Sequence, residues 1–82
     1  MRIEQFMFIH EVAKTNSMSA AAANLFVTPQ YISKAIKQLE EELGVAIFRR
    51  TKTGVYLTLS GEKICQITDN ILEQIAALSE IS

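Results

Sequence analysis

The sequence predicts a mainly α domain with one small β-hairpin and a long closing helix. Three observations lead there. Apolar residues recur at helical spacing in several stretches, most regularly at Ile32, Ile36, Leu39 and Leu43, in steps of 4, 3 and 4. One short alternating run, "VYLTL" at 55–59, reads as strand. Pro occurs once and Gly three times in 82 residues, which leaves little room for irregular structure. With 49% hydrophobic and 21% charged residues, the chain is not a disordered one. It is also short enough that its core is modest and a partner is expected to add to it.

The first helix is expected over 3–14. Ile3, Phe6, Ile9 and Ala13 share a face, with Phe8 and Val12 beside them. Lys14 complements the helix dipole at the C-terminus, and Asn16 suits the left-handed position just after it. A short second helix is expected over roughly 20–26, with Ser19 as N-cap. Ala20 to Ala23 give it strong propensity and little bulk, so helix backbones can approach closely. Leu25 and Val27 anchor its end. The third helix opens on Thr28 as N-cap and Pro29 at the first helical position, where the missing N–H costs nothing. Gly44 ends it. Two helices meeting at a tight turn near Phe26 to Thr28 make a helix-turn-helix.

Residues 45–48, "VAIF", and 55–59 are expected to pair as a hairpin with Arg49, Arg50 and Lys52 near its charged tip. A fourth helix is expected from near Thr58 or Ser60 to the end of the chain. Ile64, Ile67, Ile71, Ile75, Leu78 and Ile81 form its stripe, widened by Cys65, Leu72 and Ala76. A helix of about 20 residues is about 30 Å long, more apolar surface than the small domain before it can cover. The leftover face is expected to meet a second copy of the chain.

Composition narrows the function classes. No apolar run approaches the roughly 20 residues of a membrane span, and no signal-peptide pattern opens the chain. Cys65 is the only cysteine, so an internal disulfide is impossible and an intracellular setting is expected. A buried or interfacial thiol is the expected role. His10 is the only histidine, which argues against a metal site, and no cofactor is expected. No nucleophile–base pair or phosphate loop stands out, so an enzyme is not expected.

The net charge of −1 conceals segregation. Lys34 and Lys37 lie in a stretch with no acid, followed by Glu40, Glu41 and Glu42. Arg49, Arg50 and Lys52 form a second acid-free block. After Gly61, Glu62, Asp69, Glu73 and Glu80 face only Lys63. On a helical wheel with the Ile32 stripe inward, Gln30, Lys34, Lys37 and Glu41 point outward, with Tyr31, Ser33 and Gln38 on the flanks. Amides, hydroxyls and amines at this spacing suit the edges of bases, and lysines neutralise phosphates. The acidic run confines any groove contact to the N-terminal half of the helix, the half that helix-turn-helix proteins insert. Arg49, Arg50 and Lys52 could straddle a phosphate backbone or enter a minor groove. Alternatively, Arg50 could pair with the Glu40–Glu42 run. Two rival readings are a protein-interaction module and a sequence-indifferent nucleic-acid binder.

The chain resembles the N-terminal DNA-binding domain of LysR-type transcriptional regulators. The residues that carry the resemblance are the "AAA…L.VT" block, "IS.AI..LE.ELG", "IF.R" and "LT..G", within a match covering about residues 2–78. It implies a winged helix-turn-helix (1–60) followed by a linker helix (61–82) that pairs two chains through Ile64, Ile67, Ile71, Leu72, Ile75 and Leu78. It also implies operator binding to double-stranded DNA in the cytoplasm. The family's contacts fall on Thr28, Gln30, Tyr31, Ser33, Lys34 and Lys37, on Arg50 and Lys52 in the wing, and on Thr58 near the backbone. A larger effector-binding domain, absent from this chain, is where the resemblance would place a small-molecule inducer. Asn16 stands where the family usually has Gly, and Tyr31 where it usually has a small residue. Thr53 and Tyr56 replace frequent basic residues, which implies a weaker wing.

Overall fold

Residues 1–81 are described by a computed structural model. Helices α1 (Ile3–Thr15), α2 (Met18–Leu25) and α3 (Pro29–Leu43) are followed by strands β1 (Phe48–Thr51) and β2 (Gly54–Leu57), then by α4 (Leu59–Leu78). The strands form one antiparallel hairpin in the register Phe48↔Leu57, Arg49↔Tyr56, Arg50↔Val55 and Thr51↔Gly54. The element types and their order match the sequence reading, and the whole is a winged helix-turn-helix with a long final helix.

The core lies where α1 crosses α2 and α3. Phe6, Phe8, Ile9 and Val12 meet Ala21, Ala22, Ile32, Ala35, Ile36 and Leu39, with Ile47, Val55 and Cys65 closing the far side. Of the four consecutive alanines only Ala21 and Ala22 are buried. Gln5 is also buried. Its side chain accepts from the Arg2 amide and donates to the Ala35 carbonyl at 3.0 Å, so it joins the start of α1 to α3 without a stranded polar group.

Several boundaries depart from expectation. Helix α2 starts two residues early, because Ser17, not Ser19, is its N-cap and accepts from the Ala20 amide at 3.0 Å. The left-handed turn at Asn16 (φ 56°) brings the chain round sooner than the alanine run alone suggests. Strand β1 starts at Phe48, so only the last residue of "VAIF" lies in it. Only the Ile47 amide is taken elsewhere: it donates to the Glu40 carboxylate at 2.7 Å, while the Ile47 carbonyl, still in hairpin register, accepts from the Thr58 amide at 2.9 Å. Arg49 and Arg50 therefore sit within the strand, and Lys52 and Thr53 make the tip. Ile3 and Leu43 are exposed, not buried, each in an end turn of its helix. Helix α4 closes at Leu78, so Ile81 lies beyond it. Ser82 lies outside the described residues.

Asn16 has a second task. Its carbonyl accepts from the Val55 amide at 3.0 Å and its side-chain amide donates to the Val55 carbonyl at 3.1 Å. The end of α1 thus pairs with the free edge of β2 and holds the wing against the helices. Thr58 caps α4, accepting from the Gly61 amide at 2.9 Å. Gly61 itself packs directly on the backbone of Ile47, where a Cβ would overlap the carbonyl.

Farther along α4, Asp69 accepts from two elements' worth of side chains. His10 Nδ1 of α1 lies 3.0 Å from Asp69 Oδ1, and the Cys65 thiol lies 3.8 Å from Oδ2. Histidine and cysteine share a carboxylate but do not touch through it, so the imidazole does not activate the thiol. Burial first, and Asp69 second, push the Cys65 pKa up to about 11, and the thiol stays protonated and inert at neutral pH. Among the described residues no group of histidine, cysteine and carboxylates is placed to hold a metal ion, and no helix is long and apolar enough to cross a membrane.

Two substitutions test this account of the fold. Gly61→Ala pushes α4 off Ile47 and is expected to cost about 1–3 kcal/mol or more, read by urea unfolding. Phe26, between α2 and α3, sits at a left-handed φ of 59° and is 94% exposed. Phe26→Gly loses no packing and relieves a left-handed cost of about 1–2 kcal/mol against a glycine entropy penalty of about 0.5–1. Stability should therefore rise by about 0.5–1 kcal/mol, and a loss would mean that the ring is packed after all.

Candidate nucleic-acid interface

The surface to be explained begins at the N-terminus of α3. Thr28 accepts from the Tyr31 amide at 3.1 Å, which fixes the entry of the helix and leaves the hydroxyl proton free to donate outward. Helical geometry then sorts the side chains. Ile32, Ala35, Ile36 and Leu39 are buried, whereas Gln30, Lys34 and Lys37 are exposed and Ser33 is half-buried on the flank. The outward set expected from the wheel is the outward set observed.

The wing comes to the same place. Successive strand residues point to opposite faces, so Arg50 turns toward α3 and Arg49 away from it. Arg50 Nη2 donates to Ser33 Oγ at 2.7 Å. A cleft of about 410 Å³ opens between helix and wing, lined by Met18, Pro29, Gln30, Ser33, Lys34, Lys37 and Arg50. Four of the candidate residues therefore line one concavity with Arg50. Arg49 and Lys52 lie outside this cleft, both exposed.

Arg50 does not pair with the acidic run. Glu40 is spent within the fold, its carboxylate accepting from the amides of Ile47 and Phe48 at 2.7 and 3.2 Å. Glu41 and Glu42 are exposed at the far end of α3. Lys34, Lys37 and Arg50 thus make no ion pair among the described residues, and the exposed acids Glu41 and Glu42 begin about one turn beyond Lys37 and two beyond Lys34 along the helix.

Two candidates are occupied differently from expectation. Tyr31 turns back toward α1, its hydroxyl donating to Glu4 at 2.7 Å and its ring meeting Phe8 edge-on at 5.8 Å. The bond to Glu4 holds the phenol pKa above its usual value, so Tyr31 offers a ring edge more than a free hydroxyl. Thr58 uses its hydroxyl twice, accepting from Gly61 and donating to the Ala46 carbonyl at 2.6 Å. Gln38, on the same flank as Tyr31, accepts from Arg2 at 3.3 Å.

The structure also adds residues that the sequence reading passed over. A second depression, of about 380 Å³, joins the wing to the start of α2 through Ser17, Met18 and Ser19. The signal was Ser17, the earlier of two serines able to cap the helix, whose choice places Met18 and Ser19 in the first turn beside the hairpin.

The apolar face of α4 divides in two. Ile64, Ile71 and Leu72 pack in part on the protein's own core. Ile67, Leu78 and Ile81 are 62%, 67% and 81% exposed, and Ile75 is half-buried. Ile64, Ile67 and Ile71 also line an apolar groove of about 160 Å³ with Met1, Phe6, Leu39, Leu43 and Thr68.

Comparison with known proteins agrees with this architecture. The family described as "Bacterial regulatory helix-turn-helix protein, lysR family" matches residues 3–62. The chain is 36% identical over 73 residues to the probable HTH-type transcriptional regulator LrrA of Synechococcus elongatus, spanning 89% of this chain and 25% of that protein. It is 44% identical over 69 residues to the HTH-type transcriptional regulator BbuR of Bordetella bronchiseptica, spanning 84% of this chain and 21% of that protein. The chain thus spans a quarter or less of these two relatives. Among solved structures, the CbnR DBD–DNA complex superposes with a TM-score of 0.91 at 30% identity, covering 98% of this chain and 92% of that one. The BenM DBD in complex with benA site 1 DNA gives a TM-score of 0.92 at 25% identity, covering 99% and 91%. The chain belongs to the LysR family of bacterial regulatory helix-turn-helix proteins.

Proposed function

We propose that this chain reads operator sequence in double-stranded DNA as the DNA-binding domain of a bacterial transcriptional regulator, and that it does so as a dimer in the cytoplasm. One observation carries the reading. Gln30, Ser33, Lys34 and Lys37 line a single cleft with Arg50 over about the first two and a half turns of α3, ahead of the exposed acids Glu41 and Glu42. The likeness to domains solved with DNA supports it.

In this reading residues 1–60 hold the duplex and residues 61–82 join two copies. The first two turns of α3 enter the major groove. Gln30 suits adenine, which it can meet with both a donor and an acceptor, and Lys34 suits the O6 and N7 of guanine. Thr28 and Lys37 take flanking phosphates, assisted by the positive end of the α3 dipole. Arg49 and Lys52 hold the backbone beside the minor groove. Tyr31 contributes a ring edge, and Thr58 holds the start of α4 near the backbone. The second copy docks on Ile67, Ile75 and Leu78, with the outer edges of Ile64, Ile71 and Leu72 completing the seam.

The first test is a titration with a duplex selected from a randomised pool and with a scrambled duplex, across salt concentrations. If about 6 phosphates are neutralised per dimer, log affinity falls with a slope near −5 against log salt. A flat slope would favour a protein-binding role, and equal affinities would mean sequence-indifferent binding. The second test is Ile67→Glu, chosen because this side chain is 62% exposed and leaves the core intact. The variant should sediment as a monomer with an unchanged helical spectrum. A variant that remains dimeric would remove Ile67 from the seam.

A further inference from the structure

The bond between Arg50 and Ser33 has a consequence for which bases the domain accepts. A serine hydroxyl carries one donor proton and two acceptor lone pairs, and a freely rotating one serves either kind of partner. A guanidinium only donates. With Arg50 Nη2 at 2.7 Å, one lone pair of Ser33 Oγ is occupied by a cationic donor. The hydroxyl proton must then point away from Arg50. It finds no acceptor among the described residues, including the backbone carbonyl one turn back that helical serines often use. Ser33 also lines the cleft between helix and wing. The adjacent cation strengthens the O–H as a donor and weakens the remaining lone pair as an acceptor.

Glu40 lines a neighbouring depression with Arg50, but its Oε2 accepts from the Ile47 and Phe48 amides and it forms no ion pair with the guanidinium. Arg50 makes no ion pair among the described residues. The hairpin register sets it opposite Val55, and Val55 is bonded in turn to Asn16, so the strand that carries Arg50 is held against the helices.

We infer that Arg50 is a positioning residue that makes Ser33 a hydrogen-bond donor, so that the domain selects a base edge presenting an acceptor and rejects cytosine at that position. In the major groove guanine presents N7 and O6, thymine O4 and adenine N7, whereas cytosine presents only its N4 donor. The inference rests on the DNA-reading function proposed above. It revises the simpler view of Arg50 as a phosphate contact alone, and it makes wing and recognition helix a single reading element.

The experiment is selection from a randomised duplex pool by the wild-type domain, followed by affinities for duplexes changed one base pair at a time. It is repeated with Ser33→Ala, Arg50→Met, Arg50→Lys and the Ser33→Ala, Arg50→Met double variant. Both side chains lie outside the core. The wild type should disfavour cytosine at one position by roughly 3- to 10-fold, the range of one hydrogen bond. Ser33→Ala and Arg50→Met should each lose that ratio, and the double variant should lose no more than Ser33→Ala alone. Arg50→Lys, which keeps a cationic donor, should retain it. If Arg50→Met weakens every duplex alike and leaves the ratio intact, Arg50 binds phosphate only and the inference fails. If Ser33→Ala weakens every duplex alike, Ser33 is itself on a phosphate and the inference fails equally. A wild type that enriches no sequence would instead overturn the DNA-reading function, and this inference with it.

Discussion

The backbone of Ile47 is where three elements of this molecule are tied. Its amide is held by Glu40 from the end of α3, its carbonyl by Thr58 from the start of α4, and its fully buried side chain by the core. Gly61 lets α4 come down onto the same peptide. A buried peptide group left without partners costs of order 1–3 kcal/mol; the Ile47 amide finds its partner in Glu40 and not in the ladder, so full strand pairing begins one residue later, at Phe48. The start of β1, the register of the hairpin and the position of Arg50 follow from that. A short apolar tetrapeptide, unremarkable in composition, thereby decides where the wing meets the recognition helix.

How much of this was legible in the sequence depends on the range of the interaction. Local rules placed α3 from Thr28 to Gly44, because an N-cap, an N1 proline and a terminal glycine are read within a few residues of where they act. The same rules placed Asn16 in its left-handed turn and the start of α4 near Thr58 or Ser60, of which Thr58 is the cap. They missed Ser17 as a cap, since two serines compete there and only the tight turn before them decides. They started β1 too early, since the Ile47 amide is drawn off by Glu40, 7 residues back on α3. The outward face of α3 followed from its period, but the turning of Tyr31 toward Glu4 across 27 residues did not. Periodicity shows which side chains face out; it does not show which of them have already found a partner in the fold.

Electrostatics follow the same division. A net charge of −1 describes a molecule indifferent to a polyanion, yet the acids are spent or set apart. Glu4 and Glu40 are engaged with Tyr31 and with backbone amides, Asp69 faces His10 on the side of α4, and Glu41 and Glu42 lie at the distal end of α3. The concave face keeps Lys34, Lys37 and Arg50. Long-range repulsion from the remaining acids is screened beyond about 8–10 Å at ordinary salt, so the local excess of cations governs docking.

The seating of Gly61 on Ile47 makes the first turn of α4 continuous with the body of the domain, with no hinge between them. In the two-fold pair proposed above, each reading head is fixed along the first half of a stiff helical arm about 30 Å long. A rotation of one arm against the other by a few degrees moves the heads by ångströms along the duplex. Register between half-sites, in units of the 34–36 Å helical repeat, would then be set by the angle at which the two arms cross, and any influence that altered that angle would act on DNA without touching a single base-reading side chain.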